Sequence, residues 1–413
     1  MKKIFIYLPD GVGVRNFLFS NFNKILQSKN NSVTYWNNTV FEINKNFNFD
    51  EIKIENAKAH YISDLLRRAR RIIEIKLFYK KFKDSSHLLY NHSLPFNTFK
   101  NSIKSFFIVI LVNVYKSDRG VKKLMNYINR FERKTSLYKN SIETLKLEKP
   151  NYIFCTNQRP LLAIAPMLAA KDLGIKTSVF IFSWDNLPKA MMVVEADFYH
   201  VWSDYMKQEL LKYYPYVRDS QVIVCGTPQF EVHFDESKVE KKEAFYSKYN
   251  LDHLKKYILF SGDDVTTSPY DHFYLEDLAK IIKEYNRNND TKLGVIYRKC
   301  PVDFTERHLS IVNKYKDTIV CIDPLWENLG NSWDNVMPLK EDNSLLANTI
   351  RYSELVVNVG SSMVFDAVCH GKPCAYINYN VSKGDTTKWN IEKIYEFIHF
   401  KSMPSKDAVL WVN

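Results

Sequence analysis

The stretch Leu355-Val-Val-Asn-Val-Gly-Ser-Ser-Met-Val-Phe-Asp-Ala-Val-Cys-His-Gly-Lys-Pro-Cys374 decides how this chain is read. An apolar, β-branched run ends at Gly360, Ser361 and Ser362 then open a helix over Ser362–His370, and a second apolar run starts at Pro373. A buried strand turning through glycine and serine into a helix is the repeating unit of a parallel α/β sheet. The unit recurs along the chain. Glycine is scarce, 11 residues in 413, well below the usual share of roughly 7%. Yet Gly11 and Gly13 follow the run Lys3–Leu8, Gly226 follows Gln221–Cys225, and Gly262 follows Tyr257–Phe260.

Further strands are expected at Asn151–Cys155, Lys176–Phe182, Phe198–Trp202, Leu293–Arg298, Thr318–Ile322 and Pro373–Ile377. Between Ser63 and Leu147 the pattern is helix after helix, and from Asp235 to Lys256 it is dense in Lys and Glu. The expected architecture is therefore α/β, two Rossmann-like doubly wound domains facing a central cleft. The first spans 1–230 with a helical insertion at about 62–147, the second 231–385, and a helical tail fills 386–413.

Composition agrees with an ordinary globular protein, 46% hydrophobic and 25% charged, which excludes disordered and disulfide-scaffold classes. Six cysteines without a CxxC pair read as reduced, mostly buried thiols of a cytoplasmic protein. The run Ile4–Leu8 is too short for a signal peptide, and Phe106–Val112 falls far short of the roughly 18 apolar residues of a membrane span. The net charge of +12 comes from 44 Lys and 14 Arg without a nucleic-acid-binding motif, so no nucleic-acid partner is expected. Much of it is local: Tyr61–Lys83 holds eight cations, among them Arg67, Arg68, Arg70 and Arg71, against Asp64 and Glu74, on a helix-period pattern. Two readings stay open there, a solvated helix face over a core and a surface drawn to anionic lipid headgroups or a pyrophosphate-linked acceptor.

Residues that carry chemistry cluster at the strand ends. Unpaired N–H groups at the Gly360–Ser362 helix start suit a phosphate, and Asp366, one turn on, suits ribose hydroxyls. Ser261 and Gly262 form a weaker second turn, and Arg298 is a candidate to neutralise a diphosphate. Asp263-Asp264 reads as a loop cap, and His233, His308 and His370 lack zinc-ligand spacing, so no metal is expected. After the first strand, Asp10-Gly11-Val-Gly-Val-Arg15-Asn16 departs from GxGxxG, which argues against a nicotinamide. It holds a carboxylate, Asp10, which reads either as a general base or as a turn residue. Trp184, Asp185 and Asn186 suit a sugar ring, and Asn157 and Arg159 end the neighbouring strand.

These motifs, with Gly226-Thr227-Pro228, resemble those of bacterial GT-B glycosyltransferases of surface-polysaccharide assembly, the capsule and O-antigen type, over most of the chain. The resemblance implies a nucleotide-diphosphate sugar, chiefly UDP-linked, held by Ser261, Gly262, Arg298, Gly360, Ser361, Ser362, Asp366, Gly226 and Thr227. It implies a glycan or lipid-linked acceptor at Gly11, Arg15, Asn16, Asn157, Arg159, Trp184 and Asn186, with Asp10 or Asp185 as base of an inverting, metal-independent transfer. No cofactor beyond the nucleotide-sugar co-substrate is implied. Asp366 stands where many relatives carry Glu. The expected location is the cytoplasm, at the inner membrane face if Arg67–Lys83 meets lipid. Two rivals share these residues: a nucleotide-sugar epimerase of the same architecture, expected to carry several carboxylates and a His, and a non-catalytic glycan- or polyanion-binding protein.

Overall fold

The protein is described by a computed structural model covering residues 1–91, 93–329 and 336–413. The chain divides into two compact units, Met1–Pro228 with Phe397–His399, and Gln229–Glu396 with Phe400–Asn413.

In the first unit, β1 (Lys2–Leu8), β2 (Asn31–Asn37), β3 (Glu51–Lys53), β4 (Tyr152–Cys155), β5 (Lys176–Phe180), β6 (Phe198–Val201) and β7 (Val222–Val224) form one sheet. Its order is β3-β2-β1-β4-β5-β6-β7, and every pairing is parallel. Successive residues of a strand face opposite sides of the sheet, so a run buried throughout, as Phe5 to Leu8 is, must be covered on both faces. The winding reverses between β1 and β4. Between β3 and β4 stand four long helices, Ser63–Phe82, Phe99–Val114, Asp118–Glu132 and Ser136–Glu148. The last three start on side-chain caps: Thr98 accepts from the Asn101 amide, Ser117 from that of Gly120 and Thr135 from that of Tyr138.

In the second unit, β8 (Lys255–Ser261), β9 (Lys292–Arg298), β10 (Ile319–Cys321), β13 (Ser353–Asn358), β14 (Cys374–Ile377) and β15 (Leu410–Val412) form a sheet ordered β10-β9-β8-β13-β14-β15. Again all pairs are parallel. A short antiparallel ribbon of β11 (Trp326–Asn328) and β12 (Val336–Pro338) stands apart. This winding reverses between β8 and β13.

Three expectations change. The tail 386–413 is not a separate element: Leu410–Val412 pairs with β14, and Phe397–His399 belongs to the first unit. The helix expected in that tail is two short turns, Glu392–Tyr395 and Ile398–Lys401. Of the six free thiols, Cys155 and Cys374 are buried, but Cys225 and Cys321 are exposed. Cys321 ends the edge strand β10, and Cys225 follows the edge strand β7 directly.

Candidate functional site

In an open parallel sheet, the loops leaving the carboxyl ends of the strands diverge where the winding reverses, and the crevice they leave is where ligands bind. Each unit has one such point, and most of the residues singled out in the sequence gather beside them.

In the first unit the point lies between β1 and β4. Asp10 leaves β1, and its carboxylate accepts from the Val12 amide at 3.2 Å and from Asn157 Nδ2, just past β4, at 2.8 Å. Asn157 Oδ1 takes the Arg159 amide at 3.0 Å, which fixes that loop in turn. Gly13 makes the close approach possible, because a Cβ there would lie 2.3 Å from Thr156 Oγ1. Asn16 is buried on the same short helix and Arg15 half-buried.

The loop after β5 is tied to the loop after β4 by a 3.0 Å bond from Gln158 Nε2 to Asn186 Oδ1. In it Asp185 accepts from Ser183 Oγ and Asn186 Nδ2, both at 2.7 Å, and from Lys189 Nζ. Burial alone would raise its pKa. The charges of Lys189 and His399, with those hydrogen bonds, outweigh burial and hold it far below the usual carboxylate range. A base that weak and that fully engaged is a poor proton acceptor. Trp184 meets the His399 ring edge-to-face at 4.8 Å, and His399 Nδ1 pairs with the Tyr90 hydroxyl at 2.9 Å. Burial lowers the His399 pKa to about 4. Nearby Glu209 is pushed up to about 8, mainly by burial and also by Asp185, against the pull of Lys212.

In the second unit Ser261, Gly262 and Asp263 leave β8, and Gly360 and Ser361 follow β13. Gly360 sits at φ +64, and a Cβ on it would come within 2.9 Å of Phe400. Conformation and packing therefore both demand glycine there. The helix after it, Met363–Cys369, has no side-chain cap from Ser362. Ser361 Oγ lies 3.4 Å from the Met363 amide, and its own amide is held by Asn358 Oδ1 at 2.8 Å. Arg298 is buried and bonded to Asp342 Oδ1 at 2.7 Å. The other carboxylate oxygen takes Trp326 Nε1 at 2.7 Å. Arg298 Nη1 has no partner among the described residues. Asp263 is driven well above the usual carboxylate range by burial and by Asp271 and Asp264, against the Val359 amide and Arg307. Gly226 lies in the loop after β7 at φ +73 with open space around it, so conformation alone selects glycine, and Thr227 follows it half-buried.

Asp366 is where the structure adds most. Its carboxylate is buried and meets His233 Nε2 at 2.8 Å, and His233 Nδ1 meets His370 Nε2 at 2.9 Å. A carboxylate only accepts, so His233 carries its proton on Nε2. His370 is half-buried, and its pKa falls to about 4 through burial first and then the neighbouring His233. At neutral pH it is an uncharged imidazole at the outer end of an Asp–His–His relay. Sequence reasoning had these three residues but not their union, because 133 residues separate His233 from Asp366. No local signal marks His399 or Glu209 either.

The basic helix is a correction. Arg70 is buried, donating to Glu74 at 3.0 Å and to the Met192 carbonyl at 2.6 Å. Arg71 donates to the Lys189 and Tyr90 carbonyls, both at 3.1 Å, and Arg67 and Arg68 pair with Asp64. Two of the eight cations, Arg70 and Arg71, are thus structural, because guanidinium forks on the inward side of this helix satisfy backbone carbonyls of neighbouring segments, while Arg67 and Arg68 are engaged by Asp64 on the helix itself. The helix presents mainly lysines outward.

Two Rossmann-like units in succession define a GT-B-like architecture. Solved structures bear this out. A putative UDP-N-acetylglucosamine 2-epimerase from Listeria monocytogenes matches with TM-score 0.53 at 11% identity, covering 95% of this chain and 86% of that one. S. aureus MnaA, solved with UDP, matches with TM-score 0.50 at 13% identity, covering 96% and 86%. The UDP-GlcNAc 2-epimerase of Neisseria meningitidis, bound to UDP-GlcNAc, matches with TM-score 0.50 at 11% identity, covering 97% and 90%. At such identities the likeness is one of fold. No family model and no curated protein matches the sequence.

Proposed function

We propose that this chain is an enzyme acting on a nucleoside-diphosphate sugar, with UDP as the nucleotide and epimerisation of the sugar as its reaction. The observation that carries the reading is the Asp366–His233–His370 relay, built on the helix Met363–Cys369 that follows the Gly360–Ser361 loop suited to a diphosphate. Epimerisation breaks a C–H bond and remakes it on the opposite face, so it needs a group that takes a proton and one that returns it. His370 is uncharged at neutral pH, and charge arriving on it is shared through His233 to a buried carboxylate. The naming of three fold neighbours as UDP-GlcNAc 2-epimerases, or as bound to UDP, supports the nucleotide.

Glycosyl transfer is the second reading, and Asp10 favours it. Its carboxylate is held by Asn157 at the β1/β4 switch point, where it would take the proton of an acceptor hydroxyl as the sugar leaves its diphosphate. The donor positions Ser261, Gly262, Gly360 and Ser361 serve either reaction.

One experiment separates them: UDP-GlcNAc is incubated in D2O and followed by NMR. Deuterium entering the sugar with no acceptor present, and lost in His370→Gln, supports epimerisation. Release of UDP only when a glycan or lipid-linked acceptor is added supports transfer. No turnover of any nucleotide sugar overturns both.

A further inference from the structure

The helix Phe99–Val114 turns an apolar face outward. Phe99, Ile103, Phe106, Phe107, Ile110 and Val114 are each between 41% and 84% exposed. Their spacing of three and four residues aligns them on one stripe, since a helix advances about 100° per residue. The opposite stripe, Ser105, Ile108 and Val112, is the buried one, and Ser105 Oγ donates to the Pro95 carbonyl at 2.6 Å. The helix is therefore seated by one face while the other, bulkier and aromatic, has no cover among the described residues. Contiguous exposed apolar surface of this kind marks an interaction site.

Charge identifies what covers it. From Phe96 to Lys123 the cations are Lys100, Lys104, Lys116, Arg119, Lys122 and Lys123, all exposed, and the single acid is Asp118. A second copy of the chain laid on this face would bring six cations against six. An anionic surface with an apolar interior complements both features at once. We propose that Phe99–Val114 is a membrane-surface helix. Its aromatic stripe enters the headgroup boundary of an anionic bilayer, and its flanking lysines meet the lipid phosphates. It is an interfacial element, since no helix among the described residues is long and apolar enough to cross a membrane. The attachment moves from the Arg67–Lys83 helix, where Arg70 and Arg71 point inward, to its neighbour. It does not depend on which sugar reaction the protein performs.

Cosedimentation tests it, with vesicles of phosphatidylcholine alone and of phosphatidylcholine with one-third phosphatidylglycerol. The wild-type protein pellets with the mixed vesicles at low salt. Binding falls at least tenfold in the triple variant Phe106→Ser, Phe107→Ser, Ile110→Ser, and it weakens at 1 M salt, where the Debye length is only about 3 Å. All three positions are exposed, so the variant keeps the wild-type thermal midpoint. A Phe107→Trp variant gives an independent reading, its emission shifting to the blue on mixed vesicles only. Wild-type protein left in the supernatant with both compositions overturns the proposal, as does a folded triple variant that pellets as well as wild type. So does a dimer that the triple variant dissociates without any vesicle binding, which would assign the face to a second copy.

Discussion

Asn157 donates a 2.8 Å hydrogen bond to Asp10 across 147 residues of sequence, joining the carboxyl ends of β1 and β4 at the point where the first sheet reverses its winding. With the Val12 amide on its other oxygen, the carboxylate is oriented from both sides while remaining half-buried. Asp10→Asn keeps shape and removes basicity. If Asp10 takes the proton of an acceptor hydroxyl, kcat of transfer falls by roughly 10²–10⁴ with the nucleotide-sugar Kd unchanged. An Asp185→Asn variant falls far less, because that carboxylate is held too acidic by Lys189 and His399 to serve as base. Steady-state kinetics with calorimetric binding measures both.

The His233–Asp366 pair gives a second expectation. Asp366→Asn leaves a buried imidazole opposite an amide, and exchange of sugar hydrogen for solvent deuterium drops by roughly 10²-fold or more. His370→Gln does the same without disturbing the buried pair. Equal loss in both, with thermal midpoints close to wild type for His370→Gln, marks the relay as functional. Loss of fold in Asp366→Asn alone, with His370→Gln fully active, marks it as structural.

The Arg298–Asp342 pair is buried and shared with Trp326 Nε1. Removing one member of a buried pair strands the other charge, so Asp342→Ala is expected to cost about 3–5 kcal/mol in urea unfolding. Arg298→Met with Asp342→Leu costs much less, since neither charge remains.

Stability should depend on Glu209. Its pKa is pushed up to about 8 in the fold, against about 4.3 in an unfolded chain. Between those values the folded state holds the extra proton, so its contribution to stability is present at low pH and is lost as pH rises towards 8. His370 and His399, lowered to about 4, act oppositely, since unfolded histidines bind protons below about 6.5, and they add stability as pH rises to that point. Above about 6.5 the histidine contributions are complete, while Glu209, like Asp263 raised in the same direction, still loses its own. Unfolding free energy measured from about pH 6.5 to 8 should fall in wild type by on the order of 1–2 kcal/mol more than in Glu209→Gln.

Much of this was legible in the amino-acid order alone. Apolar runs such as Ile4–Leu8 and Leu355–Val359, each followed within three residues by glycine, specify buried parallel strands because period and punctuation are local properties, set within a few residues. The same locality placed Asp10, Ser261, Gly262, Gly360 and Ser361 at strand ends, where a doubly wound sheet binds ligands. Partners were not legible. Asp366 reads as a first-turn acid open to a ribose, and only folding brings His233 and His370 onto it, because a hydrogen bond between distant segments leaves no periodic trace in either. Arg70 and Arg71 look like part of a charged face, yet the neighbouring loops supply carbonyls that draw them inward. The apolar run Phe106–Val112 reads as a segment too short to span a membrane, with nothing to say which of its side chains are covered. Tertiary structure covered the stripe through Ile108 and Val112 and left Phe106, Phe107 and Ile110 outside, since a helix apolar all round buries only the faces its neighbours reach.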